Sequence, residues 1–254
     1  MALADRSYRS GSFSSGGGMP PGVKGLLIAN IAIFAMLFLA RVFRIEAIPE
    51  LAHNFALVPA SVVNTFALWQ LITYAFLHSD VMHILFNALY IWFIGSALEN
   101  TWGTRRFLQF YFICAFGGAV FGVLAAYLTG DSRVPIIGAS GACFGLLVAF
   151  GVLFAEQTVI FFIFPLKAKY MVLILCGLQF LQAFSPSQTA FSVHIGGILT
   201  GLGYLLYYKR LPRLRLIDQW KQRYRQYKIE RARKKFQVYL RKHNSGSDRD
   251  RFIN

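Results

Sequence analysis

Apolar residues in this chain neither alternate nor recur at every third or fourth position; they run on for whole segments. Six such runs stand out, at about Gly25–Val42, Leu71–Leu98, Phe107–Leu128, Ile137–Phe154, Tyr170–Phe184 and Ala190–Tyr208. A helix needs roughly 20 mostly apolar residues to cross a bilayer. The pattern therefore predicts an all-α membrane protein, a bundle of six transmembrane helices, with the fifth span on the short side. Between the first two runs lies Ile45–Trp69, "IEAIPELAHNFALVPASVVNTFALW". It is too polar and too interrupted by proline to span, and too apolar for a free loop. Such a segment suits the outer membrane surface, packed on the bundle, where non-helical backbone is tolerated only if protein groups satisfy it.

Composition supports the membrane reading. Of 254 residues, 56% are hydrophobic and only 15% charged, against about 25% charged in soluble domains. Cys114, Cys143 and Cys176 all fall inside apolar runs with no disulfide or metal spacing, and read as small core residues.

The net charge of +15 is uneven: residues 209–254 hold 16 Lys and Arg against 4 Asp and Glu, which is +12 of the total. The basic signal is a tail, not a basic domain. Positive charge gathers on the cytoplasmic side of membrane proteins. The tail, Arg6, Arg9, Lys24, the Arg105–Arg106 pair, Lys167 and Lys169 all fall on one side of a six-span chain. Both termini are therefore expected in the cytoplasm. Arg41 and Arg44 close the first run without a convincing cleavage site, so it reads as a retained helix. The domain plan is a flexible cytoplasmic leader over 1–24, the membrane domain over 25–208, and the basic tail over 209–254. The tail mixes basic and aromatic residues with helix formers. This suits a surface helix on anionic lipid, a solvated tail or, less well, a nucleic-acid-binding segment.

Polar residues inside the runs are costly and point to function by default. Three segments hold them. In "HSDVMHILFN", His83 and Asn87 are four apart and share a helical face, with His78 near the outer end. They could be interhelical glue or a working cluster. Asp80 is near, but the spacing matches no zinc motif. In "GASGACFGLL", Gly141 and Gly145 form a close-packing face, which leaves Ser140 unexplained. A helix start at membrane depth presents free N–H groups and a positive dipole end, the parts of an oxyanion hole. In "FSVHIGGILTGLGYLL", His194 shares a face with Gly197 and Gly201. Small residues there would bring its imidazole to Ser140. A serine needs such a base to act as a nucleophile, and no carboxylate in these two runs completes a triad.

Taken together, H-x-x-x-x-H-x-x-x-N, G-x-S-G and H-x-x-G-x-x-x-G in this order resemble the rhomboid family of intramembrane serine proteases, over about Gly25–Tyr208. The resemblance implies Ser140 as nucleophile and His194 as general base. It implies that Gly138 frames the oxyanion site, that His83 and Asn87 donate to the oxyanion, and that His78 lies at the active-site mouth. Trp69-Gln70 is similar to a family Trp-Arg pair, with Gln in place of Arg, and Glu99 to a glutamate that ties down a cytoplasmic turn. The implied activity is cleavage of other membrane proteins' transmembrane segments within the lipid bilayer, with no metal or organic cofactor and no nucleic acid partner. The implied location is a bacterial inner membrane. A non-catalytic relative that escorts transmembrane helices is the alternative, although such proteins lose the serine or histidine kept here. A small-solute transporter would predict repeated halves, and none is found. The segment "EQTVIFFIFP" has no assigned role.

Overall fold

A computed structural model describes residues 18–161, 163–182, 188–210, 229–231 and 237. Most of the leader and of the basic tail lie outside these. The described residues up to Tyr204 belong to one compact unit, and those from Leu205 onward to a second.

The first unit is mostly helical. Three of its helices are long and apolar enough to cross a membrane: α1 (Pro21–Val42), the continuous stretch Val81–Trp102, and α7 (Thr104–Thr129). These helices make the chain an integral membrane protein. Helix α1 starts with proline in its first turn, where the missing N–H costs nothing. Its own N-cap residue supplies no side-chain acceptor. Glu99, from a distant part of the chain, does so instead, accepting from Gly22 N–H at 2.8 Å and Val23 N–H at 2.7 Å. The same carboxylate accepts from the Thr104 hydroxyl at 2.7 Å, across the turn at Gly103. One buried group thus satisfies the start of α1 and closes the turn before α7, with its charge at a positive helix end. Glu99→Ala should strand these donors and cost about 1–3 kcal/mol. A thermal melt in detergent is the check, with cleavage per folded molecule unchanged.

The second apolar run does not form one helix from Leu71. Two short helices, α2 (Ala47–His53) and α3 (Pro59–Asn64), lead into α4 (Gln70–Thr73), a 3-10 turn at Tyr74–Phe76 and extended chain. Asp80 then starts α5 (Val81–Tyr90) by accepting the His83 N–H at 2.9 Å. A π turn at Ile91–Gly95 joins α5 to α6 (Ser96–Trp102). Apolarity misleads here because Leu71 and Tyr74 are apolar for the interior of the protein, where both are buried, and not for lipid.

The segment before α4 meets its backbone requirement through side chains. Buried Gln70 accepts from Val58 N–H at 3.0 Å and donates to the Asn54 carbonyl at 3.1 Å, and Trp69 donates to the same carbonyl at 2.9 Å. A neutral amide both donates and accepts, which is what this bend uses. Outward, the segment exposes Leu51, Phe66, Leu68 and Trp69, an apolar face suited to a membrane surface.

The fourth run also starts later than expected. Ile136 pairs with Leu57, the Gly138 N–H donates to the Tyr74 carbonyl, and α8 (Ser140–Leu153) begins only at Ser140. Its 14 residues span about 21 Å, short of the roughly 30 Å hydrocarbon core. Most of α8 is buried in protein.

Besides the Leu57–Ile136 bridge, the described chain departs from an all-helical fold in a hairpin. "EQTVIFFIFP" forms a hairpin of β1 (Thr158–Phe161) and β2 (Phe164–Lys167), in keeping with its β-branched and aromatic residues. Glu156 pairs with Lys167 and Lys169 at its base. The hydrogen bonds from Lys167 and then Lys169 hold the Glu156 carboxyl down to about 2. Helices α9 (Ala168–Gln182) and α10 (Gln188–Arg210) complete the element order.

Candidate active site

Ser140 is the first residue of α8, after Ala139 as the cap position. As the first helical residue its N–H has no partner in the helix ladder. Its Oγ lies 2.7 Å from Nε2 of His194 on α10. The imidazole rests on Phe144, one turn along α8 from the serine, with ring centroids 4.8 Å apart.

Glycines create this approach. A Cβ at Gly197 would collide with the Gly141 carbonyl, and one at Gly201 would come within 3.1 Å of the Gly145 Cα. The other flank of α10 meets α7, where a Cβ at Gly118 would lie 2.9 Å from the Val193 carbonyl and one at Gly117 would overlap Thr200. His194 is thus carried on a helix wedged between α7 and α8. The glycines of α7 contribute as much as those of α8, although the serine and histidine motifs do not mention them.

Gly138 has φ +122, a conformation closed to most L-residues. Space forbids a side chain there as well, because a Cβ would lie 2.5 Å from His83 Nε2. The same point is 3.7 Å from Ser140 Oγ, so His83 Nε2 and the serine hydroxyl border the same space. His83 is on α5, with its Nδ1 3.1 Å from the Ser79 hydroxyl. The ring of His78 meets His83 edge-on at 4.9 Å between centroids. His78 itself is in the extended chain before α5, not on the helix, and is buried. Asn87 follows His83 by one turn and is buried, its carbonyl facing the Cys143 thiol of α8. Its Nδ2 has no hydrogen-bond partner among the described residues. A cleft of about 390 Å³ between α1 and the start of α5 reaches His78, Ser79 and Asp80.

Three further residues shape the site without having drawn attention in the sequence. Tyr74 is fully buried, donates to the Ala115 carbonyl at 2.8 Å, and receives the Gly138 N–H on its own carbonyl. Phe144 backs the imidazole. Ser79 bridges Asp80 and His83. Of the three, only Ser79 had a sequence signal, its place beside a helix-capping aspartate. Among the described residues, no group of three His, Cys, Asp or Glu is placed to hold a metal ion. The arrangement is a hydroxyl in contact with one imidazole, a second imidazole bordering the same space at Gly138, and a buried amide one turn further along α5.

A family model described as the rhomboid domain matches residues 65–211, more than half of the chain. "Rhomboid-like protease 3" of Toxoplasma gondii is 30% identical over 155 residues, covering 59% of this chain and 56% of that protein. "Rhomboid protein 1, mitochondrial" of Saccharomyces cerevisiae is 26% identical over 209 residues, 78% of this chain and 58% of that one. "Rhomboid protease GluP" of Bacillus subtilis is 34% identical over 133 residues, 52% of this chain and 24% of its own length. The matches thus cover between about a quarter and three-fifths of these relatives.

Proposed function

The chain belongs to the rhomboid family, and from that premise we propose that it is an intramembrane serine endopeptidase that cuts transmembrane segments of other membrane proteins. The observation that carries this reading is the 2.7 Å approach of His194 Nε2 to Ser140 Oγ at the partly buried start of α8. The word protease in the names of two of the relatives supports it.

In the proposed reaction His194 Nε2 takes the hydroxyl proton as Ser140 Oγ attacks the scissile carbonyl carbon. The carbonyl oxygen becomes an oxyanion, met by the Ser140 N–H, Asn87 Nδ2 and His83 Nε2 beside the space that Gly138 leaves. His194 then gives its proton to the leaving amine nitrogen as the C–N bond breaks, which leaves an ester on Ser140. Water entering past His78 and Ser79 attacks that ester with His194 again as base, releasing the new carboxyl end and restoring the hydroxyl. No step requires a metal or an organic cofactor.

The proposal includes six membrane spans, with α8, α9 and α10 as the last three, and both termini in the cytoplasm of a bacterium with the chain in its inner membrane. The relatives include mitochondrial and bacterial proteins, so organelle import of a tagged chain is the contrary outcome to look for. The basic tail is proposed to rest on anionic lipid, on its charge and aromatic content alone.

The test is reconstitution of the purified chain with single-span membrane proteins, with new termini located by mass spectrometry. Cleavage within or beside a transmembrane segment supports the proposal. Stable capture of such segments with no cleavage by folded protein would favour an escort role. Within the same assay, His83→Ala and Asn87→Ala should each lower turnover by on the order of 10²–10³, as loss of one oxyanion donor does. Substrate affinity should change far less. Normal turnover in either variant would return that residue to the role of helix glue.

A further inference from the structure

The residues Asp80, Ser79 and His83 form a hydrogen-bonded chain that leads from the protein surface to the space beside Ser140. The Ser79 hydroxyl lies 2.6 Å from Asp80 Oδ2, and Ser79 Oγ lies 3.1 Å from His83 Nδ1. Asp80 Oδ1 also accepts the His83 N–H. We infer that Asp80 is a positioning residue which, through Ser79, keeps a proton on Nδ1 of His83 and leaves Nε2 bare whenever that ring is neutral. The inference deepens the proposed function, and rests on it for the role of His83.

The logic is one of donors and acceptors. An ionised carboxylate only accepts. The Ser79 hydroxyl, then the His83 N–H, hold the Asp80 carboxyl below the usual carboxylate range, so it is ionised near neutral pH. The single hydroxyl hydrogen of Ser79 is therefore committed to Asp80. Only oxygen lone pairs remain for His83 Nδ1, and Nδ1 must then carry the hydrogen. The nitrogen that borders the space at Gly138, which the Ser140 hydroxyl also borders, is Nε2. In a neutral ring this nitrogen offers a lone pair to the incoming oxyanion, which is repulsive. Only the doubly protonated ring offers an N–H there.

Catalysis by this arrangement requires His194 neutral as the base and His83 charged as the donor. Cleavage should rise with pH as His194 loses its proton and fall again as His83 loses its second one. The groups that face His83 are Asp80 at the start of its helix, His78 in the chain before it, and His194 of α10 across Ser140. Arg41 of α1 bears on it through the Ser79 carbonyl, at 3.4 Å.

The test is Asp80→Asn. Asparagine caps a helix as well as aspartate does, and its Oδ1 keeps the His83 N–H bond. Its NH₂ now donates to Ser79 Oγ, which frees the hydroxyl hydrogen for His83 Nδ1 and moves the ring proton to Nε2. The first measurement uses the full chain with ¹⁵N-labelled histidine and Ser140→Ala, in detergent at alkaline pH, with His83 signals identified by their loss in His83→Gln. Without the Asp80 change, Nδ1 should resonate as the protonated nitrogen; with Asp80→Asn, Nε2 should. A proton on Nε2 in the parent, or no change on Asp80→Asn, overturns the inference. If Asp80→Asn does not fold, Ser79→Ala takes its place, leaving the cap intact and removing the acceptor; the Nδ1–H preference should then be lost.

The second measurement is the pH profile of cleavage with Ser140 present. Asp80→Asn should abolish the alkaline fall or move it to higher pH, because a neutral His83 can now donate. Since the NMR needs no cleavage, failure of the protease reading leaves its result standing. A switched tautomer with an unmoved profile would support the hydrogen-bonded chain and remove His83 from the oxyanion role.

Discussion

Ser140→Ala and His194→Ala should each remove cleavage by a factor on the order of 10⁴–10⁶, the scale on which serine hydrolases lose rate when nucleophile or base is deleted. The double variant should be no slower than the worse single one, because hydroxyl and imidazole act on the same proton. Their 2.7 Å separation is already within hydrogen-bonding range. Each variant should still insert and should melt close to the parent, since Ser140→Ala leaves the backbone of α8 untouched. The measurement is cleavage per folded molecule against a reconstituted substrate. Retained turnover in Ser140→Ala would exclude this serine as the nucleophile.

The second large effect is expected at the glycines of α10, as a graded series. An alanine methyl at Gly203 would meet nothing within 4 Å, one at Gly201 would lie 3.1 Å from the Gly145 Cα, and one at Gly197 would occupy the place of the Gly141 carbonyl. Gly203→Ala should be neutral or mildly stabilising, by up to about 1 kcal/mol from helix propensity. Gly201→Ala requires a small shift. Gly197→Ala must push α8 and α10 apart, because backbone cannot rotate out of the way as a side chain can, and overpacking of this kind costs about 1–3 kcal/mol. The same displacement separates His194 from Ser140, and a misplacement of 1 Å can cost about 10²-fold in rate. Melting temperature and turnover should therefore fall together in the order Gly203, Gly201, Gly197. A Gly197→Ala protein with parental stability and rate would mean that the two helices do not meet there.

Much of the site is local chemistry and so could be read from residue order. A serine fenced by glycines, a histidine on a glycine-lined helix face, and a histidine and asparagine one turn apart are each anomalies in hydrocarbon. The physical rule that polar groups in lipid are costly makes them conspicuous without coordinates. Glu99 is marked in the sequence only by resemblance, and its partners in α1 are not marked at all: nothing near Pro21 announces that its cap comes from a residue 77 positions away. The start of the second span is misplaced by the sequence pattern for a related reason. Burial in protein and burial in lipid select the same apolar residues, so Leu71 to Leu77 read as membrane helix, whereas Asp80 caps a later start.

The sequence alone determined that the chain enters a membrane and which residues are too polar to be there idly. It also determined that Gly138, Gly141, Gly145, Gly197 and Gly201 mark close approach. These follow from transfer free energies and side-chain volume, which belong to the residues themselves. Only the tertiary structure decided that α8 begins at Ser140 and stops short of a full span, that α7 shares in holding α10, and that Tyr74 anchors the turn at Gly138. It alone decided that His83 is held by Ser79 and Asp80 with Nε2 at the space Gly138 leaves. Those depend on distances between residues far apart in the chain, and local pattern carries no record of which of many apolar or glycine-rich surfaces will meet.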